Sequence, residues 1–248
     1  MVMKYYIHES ARLGTGCQLG YGVVIEEGVD IGDAVSIGHH VVILAGTRIG
    51  SGTIIESGAV IGRQPRPSAM TSRPVPPQPG TIIGENCRIG ANAVIYAGVE
   101  MDEGVLIGDL AYVREKTRLG QYVTVGSGTL IGYVTIGSYS KIQSGAGLLG
   151  TYEDHVFIGP GVIAMDDLKM DRIRDLTFAG PHVKRGARIG GGAILFPEVT
   201  IGFDAVVAAG SVVMRDVPDQ KIVAGNPAKV IMDVPEDQRF RDPSQSPS

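Results

Sequence analysis

The 248-residue chain has no tryptophan, two cysteines (Cys17 and Cys87) and only 6% aromatic residues. Two thiols are too few for a disulfide scaffold, so both are expected reduced and buried. No apolar run approaches the roughly 20 residues that cross a bilayer. The opening MVMKYYIHESARLG lacks the continuous apolar stretch of a secretory signal, so the expectation is a cytoplasmic protein with no membrane contact. Basic excess is absent as well. Lys and Arg number 22 against 26 Asp and Glu, a net charge of −4, which argues against a nucleic-acid partner. Glycine does not fall at every third position, which excludes collagen. A hydrophobic content of 44% excludes a charge-rich disordered chain.

What the sequence has is glycine, 36 residues, about twice the usual share of roughly 7%. It also has a repeat. An aliphatic residue recurs at every sixth position from Leu13 through Leu19, Ile25 and Ile31 to Ile61. Further frames run Ile83 to Ile131, Ile136 to Leu148, Ile158 to Ala164, and Val183 to Val213. A period of six fits neither a lone helix nor a strand meander. It fits a solenoid of short flat strands joined by tight corners, three hexads to a coil. Like residues then stack at the strand spacing of about 4.8 Å and form a continuous core. The aliphatic residue is expected to point inward, and the residue two before it is usually small or β-branched (Val23, Ala59, Val99, Val105, Ala193). The glycine that often follows is expected at a corner of positive φ. These 29 positions make nearly ten coils, roughly 45 Å of stack.

A solenoid core specifies shape and not chemistry, so the breaks matter. Residues 63–80, RQPRPSAMTSRPVPPQPG, hold six prolines and three arginines (Arg63, Arg66, Arg73). Proline at this density cannot continue a ladder. The segment reads as an excursion that either reaches a neighbouring subunit or offers arginines to phosphate, or as a plain surface insertion. Residues 165–182 leave after Ala164 with Asp166 and Asp167 at their root, followed by Lys169, Asp171, Arg172, Arg174 and Asp175, and return with His182. Paired carboxylates there suit an amine or a proton. A third irregularity, residues 148–159, has a spacing of ten and holds His155. Counting three hexads back from Ala164 places Asp166 one coil above Ser144, with Gln143 beside it and Ser127 one coil below. The polar residues 232–248 read as a tail behind a single β-helix domain, 1–231.

The stretch 183–231 resembles the terminal module of the hexapeptide-repeat acyltransferases. The resemblance rests on Ala208–Ala209–Gly210 and on Gly225–Asn226–Pro227–Ala228–Lys229. It implies a left-handed parallel β-helix, an all-β fold, in place of the right-handed coil that crossover statistics alone favour. It also implies a homotrimer with acetyl-CoA in the groove between neighbouring prisms. Ala208, Ala209, Gly210, Gly225, Asn226, Pro227 and Lys229 would line the coenzyme. The order of the middle segments, TIIGENCRIGANAVIYAGVEMDEGVLIGDLAYVRE and then HVFIGPGVIAMDD, is similar to the nucleotide-sugar N-acyltransferases. These acylate 3-amino or 4-amino dideoxyhexoses linked to dTDP or UDP, the dTDP-3-amino-3,6-dideoxyhexose 3-N-acetyltransferases among them. Those relatives commonly have Asn-Asp where Asp166 and Asp167 stand here.

The implied reaction is attack of a sugar amine on an acyl-CoA thioester. Asp166 or Asp167 would orient the amine and take its proton, with His155 as competing base. Arg88, Tyr96 and Arg114 are candidates for the nucleotide, Tyr96 by stacking a base and the arginines by meeting pyrophosphate. Gln143 and Ser144 are candidates for the sugar. A hydroxyl acceptor would need a stronger base, usually His. A non-catalytic scaffold would need none of these. No metal is expected, because His8, His39, His40, His155 and His182 are scattered along the chain.

Overall fold

The computed structural model describes residues 5–67, 75–168 and 179–242. Arg73, Lys169, Asp171, Arg172, Arg174 and Asp175 lie outside the described residues. The described chain is a parallel β-solenoid of about eleven turns. Each turn lays one short strand on each of three faces, called here I, II and III in chain order. On face I, Ile25 stacks on Ile43, Ile61, Ile95, Val113 and Ile131. On face II the column runs Leu13, Ile31, Ile49, Ile83, Met101 and Leu119. On face III it runs Ile37, Ile55, Ile89, Ile107, Val125 and Ile142. Side chains alternate about the strand, so each column faces inward. The residue two before each rung joins it: Val23, Ala59, Val99, Val105 and Ala193 are all fully buried.

The stack is longer than the sequence frames suggest. The structure adds four rungs, Ile7, Tyr152, Val217 and Val223. Tyr152 and the neighbouring rung Ile136 sit where the corner between faces I and II is shortened. There the strands Leu130–Ile136 and Gly147–Tyr152 run straight across it. That continuity fuses faces I and II into one nineteen-stranded sheet, while face III stays a separate twelve-stranded one.

The glycines divide into two kinds, and one expectation is corrected here. Apart from Gly62 (φ 87°), the glycine directly after a rung is not at positive φ. A Cβ on Gly14 or Gly20 would run into the backbone of the next turn, at Gly32–Asp33 or Gly38–His39. Close stacking of the coils selects it. Positive φ falls two residues later, at Gly16, Gly22, Gly128 and Gly145 among others. Non-glycine residues such as Asn92, Leu110, Tyr122 and His155 occupy that position in other turns.

The two excursions leave the same edge, between faces I and II, from the fourth turn after Ile61 and the ninth after Ala164. The neck of the first is closed by Gln64 and Gln78. The Gln64 side-chain amide donates to the Gln78 carbonyl (2.8 Å), and the Gln78 backbone N–H donates back (2.9 Å). At the other end an antiparallel hairpin, Lys221–Gly225 with Ala228–Asp233, caps face III. The tail then folds back onto the prism. Val234 is buried, the Phe240 N–H donates to Asp204 (2.9 Å), and Arg185 pairs with Asp242 (2.9 Å).

Candidate active site

The expected site residues fall on three different edges of the prism. The edge between faces III and I carries the proposed coenzyme set. Ala208–Ala209–Gly210 forms its corner in the tenth turn, and Gly225–Asn226 follows directly above it, after Val223. The Gly225 N–H donates to Ser211 Oγ (3.2 Å), which ties the hairpin turn to the corner below. Lys229 stands opposite Ala224 in that hairpin and is exposed. Down the same edge, Gly128, Gly145, Gly161, Gly192 and Gly210 succeed one another in five consecutive turns. All have positive φ, and a Cβ on any of them would meet nothing within 4 Å. They make an open furrow about 20 Å long. Sequence reading missed this furrow, although its signal is glycine persisting at one corner position where other turns vary.

Ser144, with Gln143 beside it, lies on this furrow. The Gly145 N–H donates to the Ser127 carbonyl (3.0 Å), so the Ser144 corner stacks on that of Ser127 as expected. The residue above is not Asp166, however. The Gly161 N–H donates to the Ser144 carbonyl (3.1 Å), which places Pro160 over Ser144. Asp166 follows Ala164 on face I and lies on the edge between faces I and II. The polar column Asp166/Ser144/Ser127 therefore does not exist within one chain. At the lower end of the furrow, Arg88 borders an open depression of about 290 Å³ with Ile54, Glu56, Leu106, Asp109 and Ser127. Arg88 points out from face III, apart from Tyr96 and Arg114.

Tyr96 and Arg114 do come together, on the edge between faces I and II. Between the two excursions this edge forms a saddle over the fifth to eighth turns. Arg63, at the root of the first excursion, and Arg114 both cap Tyr96, with guanidinium carbons 5.5 and 5.9 Å from its ring centroid. Tyr96 is only 8% exposed and its hydroxyl is hydrogen-bonded to that of Tyr112 (2.6 Å). A covered ring cannot stack a base, so the expectation for Tyr96 is corrected: it is a platform for two guanidinium groups. Burial, reinforced by the bond to Tyr112, pushes its phenol above the ordinary tyrosine value.

Beneath them lies Glu115, 1% exposed. Arg114 donates to both of its oxygens (2.8 and 3.3 Å), and the Tyr133 hydroxyl donates to Oε1 (2.8 Å). A carboxylate can be buried at this depth because these charged and hydroxyl donors satisfy it. Burial works against the Arg114 charge, but Glu115 more than offsets it and raises the guanidinium above its ordinary value. Lys116 completes the group, 5.3 Å from the Tyr133 centroid. Glu115, Lys116, Tyr112 and Tyr133 were not anticipated from sequence, because only the stacking of successive turns brings them to one place. Asp166 and Asp167, both half-buried, mark the upper end of this edge.

His155 is on the third edge, between faces II and III, apart from Asp166 and Asp167. Its imidazole stacks on Tyr139 (5.2 Å), which stacks on Tyr122 (5.5 Å), and Phe240 of the tail covers its other side (5.2 Å). His182 contacts Glu153 (2.9 Å) on face II. Among the described residues no three His, Cys, Asp or Glu side chains converge as a metal site. No described helix is long and apolar enough to cross a membrane.

Residues 28–63 and 80–114 match the family described as bacterial transferase hexapeptide (six repeats). The bifunctional protein GlmU of Gloeothece citriformis is 34% identical over 152 residues, 58% of this chain and 32% of that protein. GlmU of Thermosynechococcus vestitus is 29% identical over 153 residues, 61% and 32%. The chain thus spans about a third of the length of these relatives. The Arabidopsis UDP-N-acetylglucosamine acyltransferase has the same fold over 93% of this chain and 73% of its own, with a TM-score of 0.57 at 18% identity. Residues 28–63 and 80–114 thus carry the hexapeptide repeat of these transferases, within a stack of about eleven turns.

Proposed function

We propose that this protein transfers an acyl group, acetyl in the simplest case, from acyl-CoA to the amine of a nucleotide-linked amino sugar. The observation that carries this reading is the glycine furrow running down from Ala208–Gly210 and Gly225–Lys229. It is a lane free of side chains, long enough for an extended chain, with backbone groups at its floor. An acyl-CoA arm laid there would bring its thioester down the edge toward Ser144.

The outer faces support a trimeric assembly. Outward residues on face I are almost all apolar: Tyr6, Val24, Val42, Val60, Val94, Leu130, Ile163, Ile194 and Val212. Leu130 and Ile163 are 52% and 50% exposed. Face II carries Arg12, Asp30, Arg48, Glu100 and Arg118 instead. Three copies with face I turned to a common axis would bury this surface in a closed ring. In that ring each furrow edge adjoins the saddle edge of the next copy. Asp166 and Asp167 of one protomer then approach the furrow of its neighbour, which restores in the assembly the proximity the single chain lacks.

In this arrangement the amine nitrogen attacks the thioester carbon. A backbone N–H of the furrow receives the developing oxyanion. The C–S bond breaks, and the proton shed by the ammonium passes through Asp166 or Asp167 to water or to the departing thiolate. Positioning supplies much of the rate. The stacking of His155 between Tyr139 and Phe240, on the far edge, favours the amine acceptor over a hydroxyl that would need a histidine base. The test is coupled thiol release from acetyl-CoA with dTDP- and UDP-linked 3-amino and 4-amino sugars and their hydroxyl counterparts. Turnover confined to an amino sugar is expected. Turnover only on hydroxyl sugars, or on none, would overturn the reading.

A further inference from the structure

The saddle holds three cationic heads, Arg63, Arg114 and Lys116, within neighbouring turns, and one carboxylate, Glu115. That carboxylate is buried and engaged by Arg114 and Tyr133. The Tyr96 and Tyr112 hydroxyls are engaged with each other. Arg63 reaches only the Tyr112 hydroxyl (3.5 Å) and the Tyr96 ring, and Lys116 only the Tyr133 ring, among the described residues. Both Arg63 and Lys116 are exposed. Two guanidinium groups share the Tyr96 ring, a repulsive arrangement that an anion would relieve. The fixed hub of Glu115, Arg114 and the tyrosines, with two outward cations beside it, is built to receive a compact dianion.

From this geometry we infer that Arg63, Arg114 and Lys116 form a diphosphate-binding site that anchors the nucleoside diphosphate of the acceptor. The inference rests on the acyl-transfer reading for its choice of ligand and adds the residues that hold it. Arg63 and Arg114 present planar donors suited to phosphate oxygens, and Lys116 adds a point charge. Glu115 is a positioning residue that fixes the Arg114 fork and does not touch the ligand. The saddle lies below the root of the second excursion. The diphosphate would bind there with its sugar directed up the edge toward Asp166 and Asp167. Coenzyme A also carries a diphosphate, so the two sources must be separated experimentally.

The test is calorimetric titration of the whole protein with UDP, dTDP, UMP, inorganic pyrophosphate and CoA. Wild type is compared with Arg63→Ala and Lys116→Ala. Both positions are exposed, and unchanged thermal unfolding of the variants would show that the fold is intact. The expected result is binding of UDP or dTDP and of pyrophosphate that weakens at high salt. Each variant should lose about tenfold or more in affinity for them, with CoA affinity unchanged, and UMP should bind more weakly than UDP. Unaltered diphosphate affinity in both variants would overturn the inference. So would loss of CoA affinity alongside, which would assign the site to the coenzyme. If nucleoside diphosphates fail to bind while acetyl-CoA still acylates an amine, this inference fails and acyl transfer stands. If UDP binds as described but no amine is acylated, the site stands and the acyl-transfer reading fails.

Discussion

Replacing Gly161 by Asn puts a side chain into the middle of the furrow while asking little of the fold. Gly161 has φ +66°, and a Cβ there meets no atom within 4 Å. Asn92 already occupies the equivalent corner position at φ 55°. The expected stability cost is therefore about 1 kcal/mol or less, the penalty for a residue other than glycine in the left-handed region. The effect on acyl-CoA should be larger. A polar side chain in a lane that fits a bare backbone displaces the coenzyme or forces it outward, at about 1–3 kcal/mol, or roughly 5- to 150-fold in affinity. Calorimetric titration with CoA measures the loss, and thiol-release kinetics should show it chiefly in KM for acyl-CoA. Gly28→Asn is the control. It imposes the same backbone demand at φ +64° on a different edge in the second turn and should leave CoA affinity unchanged. Wild-type CoA affinity in a folded Gly161→Asn protein would refute the furrow as the coenzyme lane.

Three further outcomes follow from the geometry. Leu130→Asp with Ile163→Asp, both on outer face I and about half exposed, should dissociate the assembly to monomers by light scattering and abolish turnover; a trimer that survives would move the interface elsewhere. The Tyr152 hydroxyl is buried without a hydrogen-bond partner among the described residues, and burial drives its phenol far above the ordinary value. Tyr152→Phe should therefore be neutral or stabilising by about 1 kcal/mol in chemical denaturation, and clear destabilisation would show an unrecognised partner. The backbone N–H of Phe203 (2.8 Å) holds the Asp219 carboxyl below its ordinary value, with help from Lys184 (3.3 Å). Its stabilising contribution is present above the unfolded carboxylate value of about 4 and is lost as pH falls through the depressed folded value. Asp219→Asn should flatten that acid limb in denaturation midpoints measured against pH, and an unchanged limb would remove Asp219 from it.

The fold was legible because a solenoid writes itself into sequence as a period. Each inward aliphatic repeats because the one above and the one below demand it. The four rungs that escaped had local reasons. Ile7 lies behind two exposed tyrosines, before any frame is established. Tyr152 and Val217 each follow the preceding rung by four residues, where a corner is shortened. Val223 is out of phase once Val217 has been missed. One missed rung rotates every later assignment by a face. That is why counting back from Ala164 reached Ser144 and not the corner after Leu148, and why Asp166 was placed on the wrong edge. Residues 208–210 and 225–229 were readable as one group because they are close in sequence and meet at one corner. The saddle was not, because Arg63, Tyr96, Arg114 and Tyr133 become neighbours only when turns of unequal length are stacked. Tyr96 was visible as an aromatic, but its burial under two guanidinium groups depends on turns above and below that no local pattern records.

Acyl transfer as proposed requires a site shared between the furrow of one protomer and the saddle edge of the next. Co-expression of two differently tagged variants, each impaired on its own at acyl-CoA concentrations below the Gly161→Asn KM, tests this directly. One carries Gly161→Asn on the furrow edge, and the other Asp166→Ala with Asp167→Ala on the saddle edge. Every mixed three-fold ring holds one intact pair of edges among its three. Thiol release in the hybrid purified through both tags is predicted to recover to about a third of wild type. A hybrid as inactive as its parents would place the whole site within one chain and contradict the account.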